Sequence, residues 1–104
     1  MAKSRRVLWA PRARQDLRDI RRYYASVASL EIADEVLRVI DRVSRRIAEK
    51  PLARRSRPEL MPQLRSALAR PYTIFFRIRN EDIEIVRVLH ERRDFPTIFA
   101  KDRE

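Results

Sequence analysis

Residues 72–90 read YTIFFRIRNEDIEIVRVLH. Two runs rich in Ile, Val, Phe and Tyr, 72–79 and 82–90, flank the pair Asn80-Glu81, a pattern that predicts two strands joined by a two-residue turn. Pairing them about that turn sets Ile78 opposite Ile83, Phe76 opposite Ile85 and Tyr72 opposite Leu89, so one face is apolar and can receive helices. The other face pairs Arg79 with Asp82 and Arg77 with Glu84, which reads as solvated salt bridges. Arg87 breaks the pattern, because this register puts it on the apolar face beside Ile74. Either a bulge shifts the strand there, or Arg87 lies at an edge with a partner.

Working outward, LRSALA (64–69) predicts a third strand joined to the first two. Before it, PLARRSRPELMPQ (51–63) holds three prolines and three arginines and predicts an extended, exposed connector. Two helices precede the connector. Over 11–27, Ala13, Leu17, Ile20, Tyr24 and Val27 recur at spacings of three and four, with Arg14, Arg18, Arg21 and Arg22 largely off that stripe. Ser29 can cap the second helix, Glu31, Asp34 and Glu35 suit its positive N-terminal dipole, and Ala33, Val36, Leu37, Ile40, Val43 and Ile47 carry its apolar stripe until Pro51. So short a link implies an antiparallel hairpin. The run RRVLW (5–9), ended by Ala10-Pro11, predicts a short first strand. The result is an α+β chain of order β-α-α-β-β-β, a helical hairpin on a mainly antiparallel sheet, in one domain over 1–104.

Composition narrows the chemistry. The 104 residues contain no cysteine and one histidine, His90. Disulfides, thiolate nucleophiles and Cys-based metal sites are excluded, and no metal or cofactor is expected. No apolar run approaches the roughly 18 residues that span a bilayer, so a bacterial cytoplasmic protein without membrane contact is expected. A formal charge of +10 suits an anionic partner, whether nucleic acid or acidic protein. Arginine supplies nearly all of it, only Lys3, Lys50 and Lys101 being lysine. Glycine is absent, so a turn that needs positive φ must use Asn80 or be avoided.

The order and spacing of DLRDIRRYYA (16–25), PLARRSRPEL (51–60), LRSALARPYTIFFRI (64–78) and IVRVLHERRDF (85–95) resemble the RelE/ParE toxin superfamily, in its ParE-like branch, over nearly the whole chain. Relatives usually carry glycine where this chain has Arg54, Gln63 and Glu91. The resemblance implies a toxin of a type II toxin–antitoxin system, with a RelE/ParE-like fold. In the ParE-like branch it implies inhibition of DNA gyrase by binding, trapping the enzyme on cleaved DNA. In the RelE-like branch it implies a ribosome-dependent endoribonuclease acting on mRNA.

Ribonuclease chemistry needs a group to activate the ribose 2′-OH, cations for the pentacoordinate phosphate and an acid for the leaving oxygen. Here the candidates are His90, Arg65, Arg87 and Arg92. RelE-like relatives generally place an arginine where this chain has Thr73, and often a tyrosine or histidine near the C-terminus, where it offers Phe95 and Phe99. The binding reading is preferred on this ground, with His90, Arg92, Arg93, Asp94 and Phe95 expected to meet the target. A basic toxin with a helical hairpin on a sheet suits an acidic, partly disordered antitoxin that folds as it wraps. Arg54, Arg55 and Arg57 are the expected antitoxin contacts, with Phe75 and Val86 as exposed apolar seats for its anchors. The third reading is a basic nucleic-acid-binding module, whose affinity would fall steeply with salt.

Overall fold

In the computed structural model residues 5–103 are described; Lys3 with the rest of the start, and Glu104, lie outside the described residues. The chain forms β1 (Val7–Trp9), α1 (Pro11–Val27), α2 (Leu30–Glu49), a 3-10 turn over Pro51–Ala53, β2 (Arg55–Ser56), β3 (Arg65–Ala69), β4 (Tyr72–Arg79), β5 (Asp82–His90) and α3 (Phe95–Asp102). The strands make one five-stranded sheet in the order β1-β5-β4-β3-β2. All neighbours are antiparallel except β1, which runs parallel to β5.

The hairpin forms as its sequence requires. Pro11 occupies the first helical position of α1, where the missing N–H costs nothing. The Ser29 side chain accepts the Ile32 N–H at 3.1 Å and starts α2, and Arg21 reaches Asp34 at 3.2 Å to tie the helices together. Their apolar stripes cover one face of the sheet, where Ile20, Ile40, Ile47, Ile74, Phe76, Ile83 and Ile85 form the main core. Val27 departs from the expected stripe. It is 61% exposed, because it is the last residue of α1 and projects past the sheet.

The opposite face carries a second cluster of Leu60, Leu64, Phe75, Leu89 and Phe99, closed by α3 and the residues before β3. This corrects two expectations. The connector is not wholly extended and exposed: its Leu60 is 2% exposed, and Arg55–Ser56 pairs with β3 as an edge strand. Phe75 is fully buried rather than available to a partner, since Phe95 and Phe99 each stack edge-on against it at 4.9 Å.

Without glycine, three other residues hold positive φ: Gln63 at 64°, Asn80 at 52° and Glu81 at 71°. Asn80 was expected, and Glu81 joins it because a two-residue turn of the type I′ class needs positive φ at both centres. Among the positions where relatives carry glycine, Gln63 needs the left-handed conformation, whereas Arg54 sits at φ −87° and Glu91 is not in that region.

Candidate functional site

Near the turn the register is as the alternation requires, with Ile78 opposite Ile83, Arg79 opposite Asp82 and Arg77 opposite Glu84. Between Phe75 and Phe76 it shifts: Phe76 faces Ile85, but Phe75 faces Arg87, leaving Val86 as the extra residue of a bulge on β5. Tyr72 therefore lies opposite His90, not Leu89, and Arg87 lies opposite Phe75, not Ile74. The bulge is the first of the two possibilities left open for Arg87. The partner proves real as well, but lies within the chain.

Arg87 is 3% exposed. Its Nε and Nη2 donate to the two carboxylate oxygens of Asp16 at 2.8 and 2.9 Å, and its Nη1 donates to Asp102 at 2.7 Å. Asp16 Oδ2 also accepts the backbone N–H of Val88 at 2.9 Å. β1 pairs with β5 only as far as Ile85, and α1 turns back over the uncovered edge, where the Asp16 carboxylate takes up the strand's amide. Burial works against the Arg87 cation, but the hydrogen bonds and charges of Asp16 and Asp102 outweigh it and hold its pKa above the ordinary guanidinium value. Arg87 is thus a three-way tie between α1, β5 and α3.

Asp16 and Asp102 had not been singled out. A signal for Asp16 exists: it lies three residues after Ala13 and four before Ile20, on the buried stripe of α1. An acid on one apolar face and a base on another call for each other. Likewise α3 has readable start signals in Asp94, whose carboxylate accepts from the Thr97 N–H at 3.2 Å and hydroxyl at 2.8 Å, and in Pro96.

The remaining candidates are spread over the sheet. Arg65 is level with Phe76 and donates to the Arg54 carbonyl at 2.8 Å. His90 is level with Tyr72, four residues away along β4, or about 13 Å at the rise of a strand. The imidazole stacks edge-on against Tyr72 at 5.5 Å, and its Nδ1 accepts the Arg92 N–H at 3.2 Å, so the other ring nitrogen carries the proton of the neutral form. Burial, then the hydrogen bond to Tyr24 at 3.5 Å, raises the pKa of the Tyr72 phenol well above its usual range. Glu91, Arg92, Arg93 and Asp94 form an exposed turn, and Phe95 is half-buried behind it.

Of the expected partner contacts, Arg55 is exposed on β2, Arg54 is half-buried beside it, and Val86 is half-buried on the bulge. Arg57 is already occupied. Its Nε donates to Glu59 at 2.9 Å, and its guanidinium lies 5.7 Å from the Phe75 and Phe95 ring centres. No helix among the described residues is long and apolar enough to cross a membrane.

This arrangement matches known proteins. The family described as the ParE toxin of the type II toxin–antitoxin system parDE matches residues 7–95, from β1 into the start of α3. Toxin ParE1 of Mycobacterium tuberculosis is 33% identical over 92 residues, covering 88% of this chain and 94% of that protein. Toxin ParE3 of Caulobacter vibrioides is 29% identical over 72 residues, covering 69% and 72%. Among solved structures, a chain of the chromosomal ParDE system from P. aeruginosa shares the fold, with a TM-score of 0.73 at 24% identity over 84% of this chain and 96% of that one. The hairpin, the meander and the last strand thus follow one family pattern throughout, and the chain belongs to the ParE toxin family of type II toxin–antitoxin systems.

Proposed function

We propose that this toxin acts by binding DNA gyrase and trapping it on cleaved DNA, and that a cognate acidic antitoxin neutralises it by covering the toxin surface. The observation that carries this reading is the engagement of Arg87. A ribonuclease centre needs its cations free to meet a phosphate, whereas the Arg87 guanidinium is buried between two carboxylates, and Arg65 is about 13 Å from His90 along the sheet. The target-binding surface is the exposed turn of His90, Arg92, Arg93 and Asp94, with Phe95 behind it. The antitoxin meets Arg54 and Arg55 at the β2 edge and Val86 on the bulge. Phe75 and Arg57 are left out because both are engaged within the second cluster.

Two assays run side by side test it: supercoiling of relaxed plasmid by gyrase, and translation with mapping of mRNA cuts. Loss of supercoiling with accumulation of cleaved DNA, relieved by the double replacement Arg92→Glu and Arg93→Glu, is the expected result. Ribosome-dependent cuts abolished by His90→Ala would overturn it.

A further inference from the structure

The outer edge of β1 is open, and an apolar hollow lies on each side of it. The carbonyl of Arg6 and the N–H of Ala10 bond to β5 at 2.9 Å each. Along a strand that orientation alternates, so the N–H and C=O groups of Val7 and Trp9 point away from β5, a ready template for another strand. On the hairpin side, Trp9, Leu17, Leu37 and Ile40 line a hollow of about 330 Å³ with Arg14 at its rim. On the other side, Ala10, Met61, Val86 and Phe99 line one of about 540 Å³ with Arg12 and Arg103 at its rim. Trp9 and Ala10 are consecutive residues, so the two hollows meet at the end of β1.

We infer that β1 is the docking edge for an extended acidic segment of the antitoxin, added as a sixth strand, with two adjacent apolar side chains filling the two hollows and flanking carboxylates meeting Arg12, Arg14 and Arg103. Successive side chains of a strand point to opposite faces, which is why a neighbouring apolar pair is required, not an alternating pattern. Charge complementarity selects the occupant. Arg12, Arg14 and Arg103 have no carboxylate partner among the described residues, while the one acid lining the smaller hollow, Asp41, is paired with Arg45 at 3.1 Å. The opposite edge lacks this arrangement: the hollow near β2 is lined by Arg46, Glu49, Lys50, Ala53 and Arg54, with no large apolar side chain to seat an anchor. The identity of the bound chain rests on the antitoxin reading; the geometry of the edge does not.

The test is a titration of ¹⁵N-labelled toxin with the capped peptide Asp-Glu-Val-Leu-Glu-Asp to millimolar concentration. Shifts are expected at the Val7 and Trp9 amides, the Trp9 indole and Val86, and none with a peptide carrying lysine in place of the acids. Val7→Pro removes an outward donor without touching the bonds to β5 and should weaken binding about tenfold. Val7→Ile, which keeps the N–H, should leave affinity unchanged. Arg12→Glu, on an exposed side chain outside the ladder, should weaken binding even if Val7→Pro disturbs the strand. Absence of shifts, shifts centred on Arg55–Ser56, or binding indifferent to both Val7→Pro and Arg12→Glu would overturn the assignment. Hydrogen exchange on the neutralised complex separates the two readings. A neutralising antitoxin that leaves the Val7 and Trp9 amides exchanging as in free toxin overturns the docking edge alone; β1-centred peptide binding with no neutralising acidic chain supports the edge and removes the antitoxin.

Discussion

The two faces of the sheet are closed by different means. The hairpin face is held by a broad area of Ile, Val, Leu, Phe and Tyr from α1 and α2. The opposite face has one short helix, a smaller cluster of Leu and Phe, an arginine over two rings, and a buried Asp16–Arg87–Asp102 triad at its border. Apolar burial is non-directional and tolerates small errors of placement. A buried ion triad does not, because each charge depends on a partner at hydrogen-bond distance. The second face should therefore fail sharply when one group is removed, and the first should weaken in proportion to what is removed.

The largest expected effect comes from Arg87→Met, which leaves two carboxylates facing an apolar side chain. Stability should fall by about 3–5 kcal/mol in denaturant unfolding. Replacing all three members with apolar residues should recover much of that loss, less the unsatisfied Val88 N–H. A cost below about 1 kcal/mol for the single change would show that the ions do not hold this face.

Next in size, Phe99→Ala opens the small cluster and should cost about 3 kcal/mol. Hydrogen exchange sharpens the contrast: α3 amides should lose protection while those of α1 and α2 keep theirs, whereas Ile47→Ala should lower protection throughout. Equal loss everywhere after Phe99→Ala would mean that the two faces open as one unit.

Smaller and opposite in sign are two backbone changes. Ser29→Ala removes the α2 cap on the hairpin side and should lower stability by about 1 kcal/mol. Gln63→Gly relieves a left-handed residue on the connector and should raise stability by about 1 kcal/mol. Thermal melts of the two variants should thus move apart.

The smallest effect is on titration. Because the folded-state pKa of Tyr72 is raised, first by burial and then by Tyr24, its contribution to stability is complete below the pKa of an unfolded tyrosine, about 10, and is lost as pH rises towards the folded value. Absorbance at alkaline pH should show one tyrosine ionising late, and Tyr72→Phe should remove that step.

How far the sequence could be read depends on the range of the forces concerned. Periodicity within a segment is local. Hence the hairpin, its Ser29 cap, the Asn80-Glu81 turn and the register beside it were legible, and so was the family through the order of its segments. The bulge at Val86 was legible only as a fault in the alternation at Arg87, without its direction. That Phe75 would be covered, that the connector would supply an edge strand, and that α3 would lie over the second face were not legible, because an alternating strand looks the same whether its second face meets water or a helix.

Sequence by itself therefore determined the elements, the hairpin-covered face of the sheet and membership of the toxin family. Tertiary structure alone decided which charges are free. Asp16 and Arg87 are 71 positions apart and Arg87 and Asp102 are 15 apart, and no local pattern can show that three such groups neutralise one another while Arg12, Arg14 and Arg103 do not find carboxylates. Charge pairing is set by distance in space to a few ångströms, and only the packed chain supplies that distance.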